Sequence, residues 1–233
     1  MALSGNLTIF VVILFSPNLH TPMYFFLSNL SILDITLTSS IMPKLLDICL
    51  TENHSITYIG CFTQVVFFVI CVVAEYFLLA VMAYDRYAAI CCPLRYVAIC
   101  HPLRYSTFMN FYLCACLALV SWLCGLLDSS TYLSLLSQYT FCKSNVINHL
   151  FCDLKPLLKL SCSNTQSIES AIQVSGALFG FTPLVFIIIS YVFIISAILK
   201  IRSTKGKQKA FSTCSSHMLQ WSSCFLESSS GCI

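Results

Sequence analysis

The chain has 233 residues, of which 58% are hydrophobic and 9% are charged, and its net charge at neutral pH is +3. A soluble domain carries about 25% charged residues, so this composition argues against a soluble enzyme and favours an all-α protein of membrane-spanning helices in a lipid bilayer. The small excess of positive charge forms no basic cluster of the kind that contacts phosphates, and we expect no nucleic-acid partner.

Five apolar runs follow one another along the chain. They predict membrane spans at about 1–15, 23–46, 59–86, 110–128 and 171–201, and a sixth span begins at 209–217. The first run reaches only about 23 Å at 1.5 Å per residue, which is less than the hydrocarbon thickness of a bilayer. Residues 128–170, between the fourth and fifth runs, are polar and are expected to form a long loop.

The positions of the basic residues predict which ends of the spans face the cytosol. Most of the twelve Lys and Arg residues lie on the same side as Arg86, and cytosolic loops carry an excess of such residues. The triplet Asp85-Arg86-Tyr87 is therefore expected at the cytosolic surface. The polar loop 128–170 is then exposed to an oxidising compartment.

Two acidic residues, Asp34 and Glu75, lie inside apolar runs. An ionisable group at membrane depth is costly and indicates a functional site. On neighbouring helices the two carboxyls could share a proton or bind a cation such as sodium. A structural pair of protonated, hydrogen-bonded acids explains them equally well from spacing alone.

Four cysteines are expected on the oxidising side. Cys142, Cys152 and Cys162 lie in the polar loop and Cys61 at the outer end of the third run. Four thiols can form two disulfides in three connectivities, and their ten-residue spacing is unlike that of zinc sites. In a short outer loop, Asn53 begins an Asn-His-Ser sequon for glycosylation.

A near-perfect repeat follows the third run. Ala88–Tyr96 reads AAICCPLRY and the next nine residues, Val97–Tyr105, read VAICHPLRY. The duplication lengthens a cytosolic loop.

Several strings then converge on one family. They are LHTPMYFFLSNLSILD (19–34), MAYDRYAAIC (82–91), HPLRY (101–105), HLFCDLKPLLKLSC (149–162) and KAFSTCSSH (209–217). The chain resembles the olfactory receptors, which are rhodopsin-like receptors coupled to heterotrimeric G proteins. The resemblance implies an incomplete seven-transmembrane helix bundle over 1–217, with about five full spans and a partial sixth. The tail 218–233 does not match the family pattern.

The resemblance implies a receptor and not an enzyme. It would bind a small volatile odorant, activate an olfactory-type G protein that raises cAMP, and lie in the plasma membrane as a multi-pass protein. No cofactor is expected, although Asp34 and Glu75 could bind a sodium ion.

The resemblance also assigns roles to individual residues. Asp85, Arg86 and Tyr87, with Tyr191, would form the G-protein switch, and disulfides would join Cys61 to Cys152 and Cys142 to Cys162. The odorant cavity would be lined from the third and fifth helices. Helical spacing counted from Arg86 and Tyr191 places in it Phe68, Val69, Val72, Val73, Ser175, Gly176 and Phe179.

Departures from the family pattern support an alternative. The chain is expected to be truncated at both ends, because the first apolar run is short and the family pattern stops after His217. In addition, the loop after Tyr87 carries the duplication. A non-signalling product of a degraded receptor gene, retained in the endoplasmic reticulum, would show these features. A small membrane transporter is a remote alternative. The spans of a transporter should show internal symmetry, whereas the repeat in this chain is nine residues long and lies in a loop.

Overall fold

The computed structural model describes residues 2–51, 55–96, 109–141 and 151–200, together with Ser215. Seven α-helices lie in this part of the chain: α1 (Ala2–Phe15), α2 (Pro22–Thr51), α3 (Tyr58–Tyr96), α4 (Phe111–Leu136), α5 (Leu154–Leu158), α6 (Gln166–Ser175) and α7 (Thr182–Lys200). A 3-10 turn, Pro17–Leu19, connects α1 to α2, and a π-helical segment, Gly176–Phe181, joins α6 to α7.

Four helical segments are long and apolar enough to cross a membrane. They are Pro22–Thr51, Tyr58–Cys91, Phe111–Leu136 and Gln166–Leu199, and a shorter apolar helix covers Leu3–Phe15. The last long segment contains α6, the π-helical segment and α7. These helices confirm the predicted all-α membrane protein. The described residues contain four long membrane segments and one shorter apolar helix of an incomplete seven-transmembrane bundle.

Helix α3 is the centre of the bundle. In its most apolar window 61% of the residues are buried, against 22–33% for the other three long segments. It packs against α2, α4 and α7, while α1 packs on α2. The shared core contains Leu78 and Leu79 of α3, Phe26 and Leu30 of α2, and Ile194 of α7. Because α3 is packed against three other helices along its length, its side chains can contribute to sites at both ends of the bundle.

Close packing of α3 and α4 depends on small side chains. The buried face of α4 includes Cys114, Ala118, Ser121 and Gly125, which follow one another at helical spacing. A Cβ atom added to Gly125 would lie 2.5 Å from the carbonyl oxygen of Ile70 on α3. Small residues of this kind let helix backbones approach closely in membranes.

Several helices extend beyond their predicted spans. Helix α2 continues past 46 to Thr51, and α4 continues past 128 to Leu136. The last membrane segment begins at Gln166 instead of 171. Sequence hydropathy ends each span where polar residues begin, but the helical backbone continues because these polar side chains have buried or local partners.

Helix α3 also continues, through the first copy of the repeat to Tyr96. The second copy (97–105), Asn53, Cys142 and most of the predicted sixth span (209–217) lie outside the described residues.

Candidate functional site

A cavity of about 320 Å³ lies between α3, α4, α6 and the π-helical segment, at the end of the bundle that carries the outer loop. It is lined by Phe68, Val69, Val72, Val73, Tyr76, Asp128, Tyr132, Asp153, Leu154, Lys155, Ile172, Ser175, Gly176, Phe179, Gly180, Phe181 and Leu184. The lining includes all seven residues that helical spacing assigned to an odorant cavity. Its volume is in the range of small-molecule sites.

The α3 wall is apolar because of its sequence periodicity. Phe68, Val69, Val72, Val73 and Tyr76 line the cavity at intervals of three and four residues, which place side chains on one helical face. The branched valines have few rotamers, so this wall has a defined shape.

The opposite wall is formed where the last membrane segment changes from α-helix to π-helix. Gly176, Phe179, Gly180 and Phe181 of the π-helical segment all line the cavity. Pro183 lies two residues after this segment and has no N–H to donate to the carbonyl group four residues earlier. The regular series of α-helical hydrogen bonds is therefore interrupted here. The Phe179 ring contacts that of Phe77 on α3, with 6.0 Å between centroids.

The outer loop covers the cavity and is attached to α3. A disulfide joins Cys61 of α3 to Cys152, with Cα atoms 5.3 Å apart. Next to it, the buried Gln64 accepts a hydrogen bond from the Cys152 N–H (3.0 Å) and donates one to the Ser40 carbonyl (3.2 Å). Gln64 therefore links α2, α3 and the loop, a role that the sequence pattern did not indicate.

A second attachment lies farther along the loop. Cys162 is also disulfide-bonded, and its predicted partner, Cys142, is outside the described residues. The Cys162 N–H donates to the Thr140 carbonyl (3.2 Å), and Phe141 and Ser161 form an antiparallel bridge. These backbone contacts bring the segment before residue 142 beside Cys162.

A polar group on α4 is the part of the cavity that sequence reasoning missed. Asp128 and Tyr132 line the cavity one helical turn apart, and both are buried, at 7% and 5% exposure. The Tyr132 hydroxyl is hydrogen-bonded to that of Ser175, and Ser175 is also close enough to donate to the Asp128 carboxylate. The four-residue spacing of Asp128 and Tyr132 is a signal for a shared helical face, but the sequence pattern places Asp128 at the start of the predicted loop.

The predicted switch lies at the other end of α3. An Arg86 guanidinium nitrogen is 3.2 Å from an Asp85 carboxylate oxygen, and the Asp85 side chain is only 1% exposed. At this depth the low dielectric strengthens the attraction between the two charges. The pair keeps the arginine folded back on its own helix.

The two tyrosines of the predicted switch lie at the contact between α3 and α7. Tyr191 of α7 is buried in the core cluster against which Tyr87 packs. The Tyr87 ring is 6.0 Å from that of Phe193, and the Cys91 thiol donates to the Phe193 carbonyl oxygen at 3.7 Å. Movement of α7 against α3 would therefore change the surroundings of Arg86.

The two acids inside the bundle lie on adjacent helices. Glu75 of α3 is buried at 8% exposure and Asp34 of α2 is partly buried. Both carboxylates are within electrostatic range of the buried Cys71 thiol. Over the residues that the structure describes, no group of three or more His, Cys, Asp or Glu side chains is arranged to hold a metal ion.

Comparison with known proteins gives a consistent result. A family model described as "Olfactory receptor" matches residues 1–225, a range that includes part of the tail beginning at 218. The chain is 45% identical to human "Olfactory receptor 2AP1" over 94% of its own length and 68% of the relative's. For human "Olfactory receptor 8D1" the values are 46%, 92% and 67%. For "Olfactory receptor 3A3" of Pan troglodytes they are 44%, 92% and 65%.

Proposed function

The chain belongs to the olfactory receptor family, and we propose that it binds small volatile odorants and activates a heterotrimeric G protein of the olfactory type, which raises cAMP. It is a multi-pass membrane protein, and the proposed site of action is the plasma membrane. The proposed activity is ligand binding and signalling, with no catalytic step.

The cavity between α3, α4 and the π-helical segment is the observation that carries this proposal. Its volume of about 320 Å³ suits a small molecule, and its lining is mainly apolar, with three valine and three phenylalanine side chains. Burial of apolar surface contributes about 25 cal/mol per Å², which provides affinity for volatile compounds with few polar atoms. Asp153, Leu154 and Lys155, next to the Cys61–Cys152 disulfide in sequence, line the outer side of the cavity.

The arrangement at the cytoplasmic end supports the signalling part of the proposal. The buried Asp85 and the partly exposed Arg86 form an ion pair, and α7 contacts α3 at Tyr87 and Cys91. The same two helices line the odorant cavity, through Val72 and Leu184 among others. A ligand that shifts α7 relative to α3 would favour release of Arg86 toward the G protein.

For Asp34 and Glu75 we propose an internal sodium site. Carboxylate oxygens are the ligands that hard cations prefer, and the two acids lie on helices α2 and α3, which pack together. Sodium bound there would stabilise the resting arrangement of the bundle.

The experiment is a cAMP reporter assay in cells that express the tagged full chain with an olfactory-type G protein. Surface staining measures how much receptor is exposed, and a panel of volatile odorants is applied. We expect a concentration-dependent rise in cAMP for some odorants, lost in Arg86→Ala at equal surface staining. A surface-exposed chain that gives no cAMP response to any odorant would contradict the proposal.

A further inference from the structure

Asp128 places an acidic group inside a mainly apolar cavity. It lies on the buried face of α4, is 7% exposed and lines the cavity together with Val69, Val72, Val73 and Phe179. A carboxylate at this depth is costly unless it is paired or fully hydrogen-bonded.

The protein satisfies this carboxylate only in part. The Ser175 hydroxyl is within donating distance of Asp128, and Tyr132 is hydrogen-bonded to the same hydroxyl. With Asp128 ionised, a consistent chain runs from the Tyr132 hydroxyl to Ser175 and from Ser175 to the carboxylate. Both donors are neutral, and within the described residues Asp128 forms no ion pair. An ionised Asp128 therefore has no positively charged partner among the described residues.

The other charges of the cavity lie at its outer side. Asp153 and Lys155 belong to the loop and to the start of α5, and Lys155 is solvent-exposed. Water and salt screen an exposed ammonium group strongly, so Lys155 neutralises little of the charge at Asp128. Among the described residues, an ionised Asp128 is then the one negative charge in the buried part of the cavity lining.

We propose that this cavity selects small protonated amines, with the ammonium group bound by Asp128 and the apolar tail packed against the valines of α3 and Phe179. This inference rests on the proposed odorant-binding function and specifies the ligand class. An ammonium group donates several hydrogen bonds and can reach the carboxylate without displacing Ser175. A carboxylic acid of the same length would meet a buried like charge.

The test compares three ligands of equal chain length: hexylamine, hexanol and hexanoic acid. The purified full chain is placed in lipid nanodiscs, and the dissociation constant of each ligand is obtained from its concentration-dependent stabilisation against heating. We expect hexylamine to bind at least about tenfold more tightly than hexanol and hexanoic acid, because a close buried charge pair contributes more than a neutral hydrogen bond.

Asp128→Asn keeps the size of the side chain and one acceptor oxygen, but it replaces the other oxygen with an NH2 donor and removes the charge. We expect hexylamine affinity to fall at least about tenfold in this variant, and hexanol affinity to change by less than about threefold. The ranking of the three ligands in the unmodified chain tests the inference without the variant, should Asp128→Asn fail to fold.

Each result has a defined meaning. Preferential amine binding that depends on Asp128 supports the inference. Equal or tighter binding of hexanol or hexanoic acid, or amine binding unchanged in Asp128→Asn, overturns the inference and leaves the odorant-binding function in place. If none of the three ligands binds the folded chain, this inference fails, and the odorant panel of the cAMP assay decides separately whether the proposed function fails.

Discussion

At the scale of single residues, the Asp85–Arg86 pair shows how a sequence motif acquires a physical role. Two adjacent charges at a helix end are common on membrane proteins. Here Asp85 is almost completely buried and lies 3.2 Å from the Arg86 side chain. Asp85→Asn would remove this carboxylate from Arg86, which is 18% exposed, so the cost is below the roughly 3–5 kcal/mol of a fully buried pair. The Arg86 guanidinium would then interact with other groups or with solvent.

Asp85→Asn tests this role. We expect a several-fold rise in basal cAMP per receptor at the cell surface, because Arg86 loses the carboxylate that holds it in the resting position. The measurement is reporter activity without odorant, divided by surface staining.

The matched control is Asp47→Asn. Asp47 also pairs with a basic residue, Lys44, at 2.6 Å, but its side chain is 40% exposed. Surface ion pairs contribute only about 0–1 kcal/mol, so basal cAMP should not change. A similar response in both variants, or no rise in Asp85→Asn, would show that the buried pair does not restrain Arg86.

At the scale of elements, α4 carries two features on one buried face. Small residues that include Gly125 lie on its buried face next to α3. Toward the C-terminal end of α4, Asp128 and Tyr132 line the cavity. The Ser129 hydroxyl donates to the Val66 carbonyl of α3 at 3.3 Å. The position of the cavity wall therefore depends on how closely α4 packs against α3.

Gly125→Ala should separate these helices. The new Cβ would lie 2.5 Å from a backbone oxygen of α3, and overpacking of this kind costs about 1–3 kcal/mol. We expect a lower melting temperature of the chain in nanodiscs and weaker ligand binding. Gly5→Ala in α1 is the control, because nothing lies within 4 Å of its added Cβ, and it should melt like the unmodified chain. Equal melting of the two variants would contradict the close contact.

The end of α4 also shows where prediction from the sequence stops. Hydropathy correctly indicates an apolar helix from about residue 110, but Asp128 and the serines after it resemble a loop in a one-dimensional pattern. In the folded chain Asp128, Ser129 and Tyr132 face inward and have partners on α3 and α6. Buried polar residues stay helical when other elements satisfy them, and such partners are not visible from local sequence.

At the scale of the whole molecule, the bundle could be predicted from the sequence, whereas the polar group of the cavity could not. Long apolar runs predict helices at membrane depth, and the spacing on α3 predicts that Val69, Val72 and Val73 share one face, which lines the cavity. The meeting of Asp128, Tyr132 and Ser175 requires the packing of α4 against α6 and is a tertiary property. Gln64 is similar, since its role depends on Ser40 and Cys152 at once.

Odorant binding as proposed requires that a small molecule binds in the cavity between α3, α4 and the π-helical segment. Val72→Trp fills this space with an indole ring, whereas Val120→Trp adds the same ring at a site on α4 that is 46% exposed. The deciding measurement is the dissociation constant of the best-binding six-carbon ligand for both variants in nanodiscs. We predict an affinity loss of at least about tenfold in Val72→Trp, the effect of about 1.4 kcal/mol, and unchanged affinity in Val120→Trp. Undiminished binding to folded Val72→Trp would contradict the claim.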